Sequence, residues 1–176
     1  MMKVIRKFWS DTSGMSVTET AILFPILISL MMAIYGLGQG VIVNQKTVAA
    51  AQVVADLVGR SEVVDMELLT DIRNAGELSL APYSTVEFGS DIISVEFDEE
   101  SNPVILWRLT ENMTGDDEAL DSTDGLGAEG EGVVIVSIAN QYRPFFSGFV
   151  VPEINMRERA FVRGRRSATV ICSDCP

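Results

Sequence analysis

The sequence predicts an α+β protein in which a long N-terminal membrane-spanning helix continues into a small antiparallel-sheet domain. The helix is predicted because no charged residue occurs from Thr20 to Gln45 and most residues in this stretch are apolar. At 1.5 Å per residue such a helix runs roughly 39 Å, whereas the hydrocarbon core of a bilayer is about 30 Å thick. The sheet is predicted because apolar and polar residues alternate after Pro82, as they do in strands with one buried face.

A basic leader precedes the span. It holds Lys3, Arg6 and Lys7 against one acidic residue, Asp11, and Lys46 is the first basic residue after the span. Basic residues favour the cytoplasmic side of a membrane, so this distribution predicts a cytoplasmic N-terminus. The domain beyond the span is then expected in the periplasm, if the cell is a bacterium with two membranes.

These features divide the chain into three parts. Residues 1–14 form the basic cytoplasmic leader, and residues 15–59 form the helix, with the span at about 20–44. Residues 60–176 form the periplasmic α+β domain, which includes an acidic loop at 114–132. This loop is either flexible and solvated or a calcium site, although the regular spacing of a calcium-binding loop is missing.

Two glycines inside the predicted span, Gly36 and Gly40, form a small-x-x-x-small pair. Small residues at this spacing let another helix approach closely, so we expect helix packing at this face. No strand is predicted before them, so they do not form a dinucleotide-binding loop.

An alternative for the N-terminal segment is a cleaved secretory signal peptide, with Gly36-Leu37-Gly38 as the nearest match to a cleavage site.

Beyond the span the helical period continues. Apolar residues recur at three- and four-residue steps, at Val48, Ala51, Val54, Ala55 and Val58. The sequence therefore predicts one helix from about Ser16 to Val58, with Gly59 as its stop. The apolar stripe on its outer half is expected either to pack on the protein's own domain or to bundle with other subunits.

The domain is expected to contain a second helix and several strands. The helix is predicted over Met66–Leu78, with Asp65 as its N-cap. Glu99–Pro103 is typical of a turn and makes a hairpin of the strands on either side of it. The strands are predicted around Val86 and Phe88, through Ile93, Val95 and Phe97, and over Val104–Leu109, Gly132–Tyr142 (the most central), Arg157–Val162 and Ser167–Cys172.

Composition excludes several functions. Histidine is absent, which removes Ser–His and Cys–His nucleophilic pairs and histidine-based zinc sites. Residues 44–156 hold five basic and 21 acidic residues, which argues against a nucleic-acid partner. Nothing in the sequence fixes two of these carboxylates in a cleft, so we expect a protein that is not an enzyme and carries no cofactor or metal.

The two cysteines, Cys172 and Cys175, form a single C-x-x-C pair. We expect an inert or disulfide-linked terminal pair, and a disulfide requires the oxidising compartment that the predicted topology supplies. Free thiols and a redox or metal-binding role are the alternatives, although a zinc site would require two further ligands at regular spacing.

Glu19 lies at the entrance of the span and has two interpretations. Ser16-Val17-Thr18-Glu19 matches a capping box, in which Ser16 and Glu19 close the first turn of a helix. The same glutamate is the fifth residue counted from Met15, which directly follows Gly14. This arrangement, behind a basic leader and ahead of a long apolar helix, resembles the class III signal sequence of type IV pilins and pseudopilins.

That resemblance implies roles for these residues. In the family, a peptidase cuts after the glycine, which would here create an α-amine on Met15. The glutamate is thought to pair with such an amine on a neighbouring subunit, since an acid and an amine in lipid are costly alone and attractive together. Four residues of helix rise about 6 Å, so this pairing would impose an axial stagger between subunits.

The order of motifs along the chain resembles the TadE/TadG-like family of the Tad (tight adherence, type IVc) pilus. The matching segments are the start Ser13–Glu19, the apolar Phe24–Leu27, the tryptophan-bearing Val104–Trp107, the late strand Val133–Pro144 ending in Tyr-x-Pro, and the basic Arg163–Arg166. Major pilins of this system are much shorter and usually carry tyrosine where this chain has Thr20. Both differences indicate a minor subunit.

The resemblance implies a pilin-like fold and a minor pilin or pseudopilin that supports pilus assembly, adhesion and biofilm formation. The implied partners are a prepilin peptidase, other Tad pilins and pseudopilins, the inner-membrane pilus assembly platform and the lipid bilayer. The implied location is the bacterial inner membrane, with entry into the pilus left open. The alternative is an uncleaved, membrane-anchored periplasmic binding or scaffold protein, and a membrane-tethered enzyme is a third class that lacks a site.

Overall fold

The computed structural model describes residues 13–83, 88–144 and 152–175, with side chains described from Val17 onward. Residues 1–12 of the predicted leader therefore lie outside the described part. Val86, which was predicted to lie in a strand, is outside it as well.

One helix, α1 (Ser13–Gly59), runs through 47 residues. It confirms the helix predicted over about Ser16–Val58 and ends at the expected glycine. Pro25 lies inside α1, where its missing N–H removes one intrahelical hydrogen bond. Most side chains in the first half of α1 are exposed, whereas the second half packs on the domain.

The described part of the domain contains a four-stranded sheet, two helices and a pair of two-residue strands. In chain order these are β1 (Val63–Val64), α2 (Met66–Ser79), β2 (Gly89–Phe97), β3 (Pro103–Glu111), α3 (Asp117–Asp121), β4 (Gly132–Tyr142), β5 (Ile154–Val162) and β6 (Ile171–Cys172). The sheet order is β3-β2-β4-β5, and all neighbouring strands are antiparallel. A long apolar N-terminal helix followed by a small antiparallel-sheet domain is thus confirmed.

The predicted hairpin and the predicted inner strand are also confirmed, because β2 pairs with β3 and β4 lies between β2 and β5. The prediction for Ser167–Cys172 was wrong in extent and in place. Only β6 is a strand there, and it pairs in parallel with β1, outside the four-stranded sheet. β1 itself was not predicted, since two residues are too few to show a period.

The outer half of α1 and the helix α2 cover one face of the sheet. Their shared apolar core includes Ala51, Val54, Val58, Leu69, Ile72, Ile92, Trp107, Val134, Val136 and Ile138. The apolar stripe of α1 therefore packs on the protein's own domain, as the first of the two expectations had it. The opposite face carries a second, smaller core, formed with α3 by Ile93, Val95, Phe97, Ala119, Val133 and Ile135.

The start of α2 follows the prediction closely. Asp65 is the N-cap, and its carboxylate accepts a hydrogen bond from the backbone N–H of Leu68 at 2.8 Å. Further along α2, Gly76 faces α1 so closely that an added Cβ would overlap the Cγ2 of Val54. The glycine thus sets the distance between the two helices.

Candidate functional site

The first half of α1 is an exposed apolar surface. No side chain from Val17 to Tyr35 is buried, and the large exposed ones are Val17, Ile22, Leu23, Phe24, Ile26, Leu27, Leu30, Met31, Ile34 and Tyr35. Among the described residues, this is the one helix long and apolar enough to cross a membrane, with an 18-residue window of mean hydropathy 2.2. A continuous apolar surface of this size indicates a lipid environment or a protein partner.

Glu19 lies near the start of this surface and is exposed. The backbone is already helical at Ser13, so Ser16 lies inside α1 and is not its N-cap. The capping-box interpretation was therefore wrong. Gly14 and Met15 belong to the same helix, and Glu19 forms no ion pair with another side chain in the described part of the chain.

The face of α1 that carries Gly36 and Gly40 is covered by the protein's own domain. The Tyr142 hydroxyl, at the end of β4, donates a hydrogen bond to the Gly36 carbonyl at 3.1 Å. A Cβ added to Gly40 would lie 3.4 Å from Cε1 of Tyr142 and 3.7 Å from Cδ1 of Ile154. Gly40 thus leaves room for the tyrosine ring, and packing against another helix at this face stays a prediction.

Tyr83 makes a second contact at the same level of α1. Its hydroxyl donates a hydrogen bond to Oε1 of Gln39 at 2.7 Å. Lys46 holds the chain just before this tyrosine, because its Nζ donates to the Ala81 carbonyl at 2.7 Å and lies 6.0 Å from the centre of the Tyr83 ring. The end of α2 is therefore tied to α1 by polar contacts as well as by apolar packing.

The three tyrosines of the sequence lie near one another where α1 joins the domain. Tyr83 and Tyr142 bind the helix there, and burial, together with the nearby Tyr35 and Tyr83, raises the pKa of Tyr142. Sequence reasoning placed Tyr142 in a strand motif but did not find this contact, because nothing local in the sequence links residue 142 to residue 36.

The segment predicted as a solvated acidic loop at 114–132 is attached to the sheet by a buried carboxylate. Asp116 is 2% exposed. Arg159 of β5 donates to both of its oxygens, at 2.7 and 2.8 Å, and Ser137 of β4 donates at 2.9 Å. The prediction was wrong for this end of the segment, where α3 follows directly, whereas Asp121, Asp124 and Glu129 are exposed.

A second buried carboxylate, Asp91 of β2, is bound in the same way. Arg108 of β3 donates to its two oxygens at 3.0 and 2.8 Å, and Thr110 donates at 2.6 Å. The backbone N–H of Asp116 also donates to Asp91, at 2.7 Å, which links the two ion pairs. Each carboxylate thus accepts a two-pronged arginine and a hydroxyl from neighbouring strands, the strongest form of charged hydrogen bonding.

Burial by itself raises the pKa of both carboxyl groups, but their hydrogen bonds outweigh it. Donation from Arg108, Asp116 and Thr110 holds the pKa of Asp91 below its usual value, and donation from Arg159 and Ser137 does the same for Asp116. Both groups are charged at neutral pH. Because protein donors already occupy their oxygens, these two carboxylates hold the acidic segment in place and are poorly placed to act as bases or calcium ligands.

The C-terminal cysteines are joined to each other, since Cys172 and Cys175 form a disulfide. Together with Asp174 they are the one close group of three possible metal ligands in the described residues. In this form the sulfurs are not free to bind a metal. The Asp174 carboxylate instead accepts from the backbone N–H of Met66 at 2.9 Å, which attaches this end of the chain to the start of α2.

Comparison with protein-family models, with curated proteins and with solved structures gives no match. The class of this protein is therefore described from its fold and its exposed helix. It is a small antiparallel α+β domain carried by a long helix whose first half is exposed and apolar, as in a membrane anchor or a signal sequence.

Proposed function

We propose that α1 is a single-pass anchor in the bacterial inner membrane, with the leader in the cytoplasm and the domain in the periplasm. The exposed part from Val17 to Tyr35 runs roughly 28 Å at 1.5 Å per residue, close to the about 30 Å of a hydrocarbon core. The predicted span at about 20–44 continues past this part, and from Gly36 onward the domain covers one face of α1. The orientation rests on the basic leader.

The contacts at the junction favour an anchor over a cleaved signal peptide. Cleavage after Gly38 would remove the Gly36 carbonyl that accepts from Tyr142. It would also cut α1 directly before Gln39, which binds Tyr83. The domain therefore binds α1 on both sides of the proposed cleavage point, which favours a helix that is retained as an anchor.

Within this topology, we propose a minor pilin or pseudopilin of a Tad-type pilus. The observation that carries the proposal is the division of one helix into two halves, the first free of the domain with Glu19 near its start, the second fixed to the domain core. Such a subunit can reside in the membrane and later pack its free half against neighbouring subunits without unfolding its domain. Cleavage between Gly14 and Met15 would supply the amine that pairs with Glu19 of a neighbour.

The proposal implies a defined set of partners. A prepilin peptidase would act at Gly14 and Met15, and other Tad pilins and pseudopilins would contact the free half of α1. The inner-membrane assembly platform would receive the subunit, which supports assembly and, through it, adhesion and biofilm formation. The role requires no enzymatic activity, cofactor or nucleic acid, and the formal charge of −12 disfavours the last of these.

The N-terminus of the mature protein, determined by mass spectrometry from native membranes, tests the proposal. A start at Met15 is expected. A start at Met1 or Met2 contradicts processing and favours an uncleaved, anchored binding or scaffold protein, whereas a start near Gln39 favours a secretory signal. Gly14→Val should retain the leader, and the matched variant Gly38→Val should leave the start at Met15.

A further inference from the structure

Among the described residues, Tyr83, Tyr142 and Ile154 contact α1 at the end of the domain nearest its free half, and we name these three residues the junction tip. Its contacts with α1 fall between Gly36 and Gly40. These positions lie inside the stretch without charges that runs from Thr20 to Gln45. The domain therefore begins to cover α1 while the helix is still apolar.

The free side of α1 shows how far the apolar surface continues past that point. Leu37, Val41 and Ile42 are 54%, 59% and 42% exposed, although the junction tip covers the other side of the helix at the same level. The apolar exposure thus extends about six residues beyond Gly36, or roughly 9 Å of helix. A helix that places these side chains in lipid also brings the junction tip to the lipid surface.

The chemistry of the junction tip fits such a surface. Tyr83 and Ile154 are partly exposed there, whereas Tyr142 is buried and supports them from behind, with its hydroxyl bound to α1. Tyrosine combines an apolar ring with a polar hydroxyl and is enriched where the hydrocarbon meets the headgroups. Lys46 lies beside the Tyr83 ring, and its Nζ donates to the carbonyls of Ala81 and Ser79 on the domain side, so the polar groups of this region lie above the apolar part of the tip. Anionic lipid would repel the acidic domain, so a zwitterionic headgroup layer is the better match.

We propose that the junction tip inserts into the headgroup layer on the periplasmic side, so that the domain lies directly on the bilayer. The partner is a zwitterionic lipid surface. This inference rests on the proposed membrane insertion of α1, but it does not depend on cleavage after Gly14 or on a role in a pilus.

Spin labels on single introduced cysteines test this proposal in the full chain, reconstituted in phosphatidylcholine vesicles. Leu30→Cys reports on the middle of the span, and Val41→Cys on the free side of α1 above it. Tyr83→Cys and Asn155→Cys report on the tip, the second leaving both tyrosines intact. Leu126→Cys is the matched control, because Leu126 is 57% exposed and its carbonyl accepts from Arg163 at the far end of the domain. The native disulfide leaves no other thiol for the label.

The measured quantity is the collision rate of each label with oxygen, which concentrates in lipid, relative to a water-soluble nickel chelate. The ratio should be highest at residue 30 and severalfold higher at residues 41, 83 and 155 than at residue 126. Ratios at 83 and 155 equal to that at 126, with a high ratio at 30, would overturn the docked domain while leaving the anchor intact. A low ratio at 30 would instead show that α1 is not inserted, which removes the basis of both proposals.

Discussion

Asp116 attaches the acidic segment 114–132 to the sheet, although most acidic residues of that segment are exposed to solvent. Replacing it with alanine removes the acceptor of Ser137 and both buried hydrogen bonds of Arg159, which keeps only the exposed Glu118 as a partner. Asp116→Ala should therefore destabilise the domain by about 3 kcal/mol, as breaking a buried ion pair does. The measurement is denaturant unfolding of the solubilised protein. Asp124→Ala, which removes an exposed carboxylate from the same segment, should change the stability by less than about 0.5 kcal/mol. Equal effects of the two variants would contradict the role of Asp116.

The two buried carboxylates also predict the acid sensitivity of the domain. Their folded-state pKa values lie below the unfolded value of about 3.9, so their stabilisation is fully present above that pH and is lost as the pH falls through the folded values. The free energy of unfolding should therefore drop on acidification below about pH 4. In the double variant Asp91→Asn/Asp116→Asn this acid-induced drop should be clearly smaller, and a pH dependence that matches the wild type would count against the assignment.

Sequence alone did not distinguish these two residues from the other acids around them. Asp116 is followed directly by Asp117 and Glu118, and all three look equally suited to solvent. What buries Asp116 is the position of Arg159 on β5, which depends on the register of the sheet. Asp121, Asp124 and Glu129 of the same segment are exposed, and there the prediction of a solvated segment agrees with the structure.

At the scale of elements, Gly76 controls how closely α1 and α2 pack. Alanine is favoured over glycine in a helix by about 1 kcal/mol, yet here its Cβ would overlap Val54. Gly76→Ala should therefore destabilise the protein, since overpacking a core typically costs about 1–3 kcal/mol. Thermal unfolding followed by circular dichroism measures the effect.

Two companion variants separate crowding from other effects of the Gly76 substitution. Adding Val54→Ala should recover part of the stability lost in Gly76→Ala, because it removes the overlapping methyl group. Gly38→Ala is the matched control, since no atom lies within 4 Å of its added Cβ and the helix should tolerate it. A Gly76→Ala protein as stable as the wild type would show that the helices can separate at no cost.

Helices and strands with a clear repeat of apolar residues were predictable from the sequence. Elements that depend on pairing with residues far away in the chain were not. α1, α2 and the strands β2 to β5 follow from apolar residues recurring at helical or alternating spacing. The parallel pair β1 and β6 exists because a chain end returns to residues 63–64, a long-range event that leaves no local pattern. The capping box at Ser16 shows the opposite case. Its local pattern matches a helix start, but the helix already includes Ser13, so Ser16 is not the N-cap.

At the scale of the whole molecule, the fold divides α1 into a half that packs on the domain and a half that does not. The second half of α1, α2 and the sheet form one body, while the apolar side chains from Val17 to Tyr35 make no comparable core of their own. The sequence predicted this long apolar helix, but it did not predict that the domain covers one face of α1 from Gly36 onward, inside the predicted span. That contact joins residues more than 100 positions apart in the case of Tyr142.

The proposed role in assembly depends on the charge of Glu19 rather than on its shape. Glu19→Gln keeps the size of the side chain but removes the partner for a neighbour's amine, so insertion of α1 should be unchanged while the amount of pilus on the cell surface falls sharply. Surface pili are measured by shearing and immunoblotting in cells that carry only the variant, with membrane fractionation to confirm insertion. Glu67→Gln, which alters an exposed glutamate in the first turn of α2, is the control and should leave both quantities unchanged. Normal pilus output from the Glu19→Gln cells would show that the free half of α1 serves as an anchor and that assembly does not use this carboxylate.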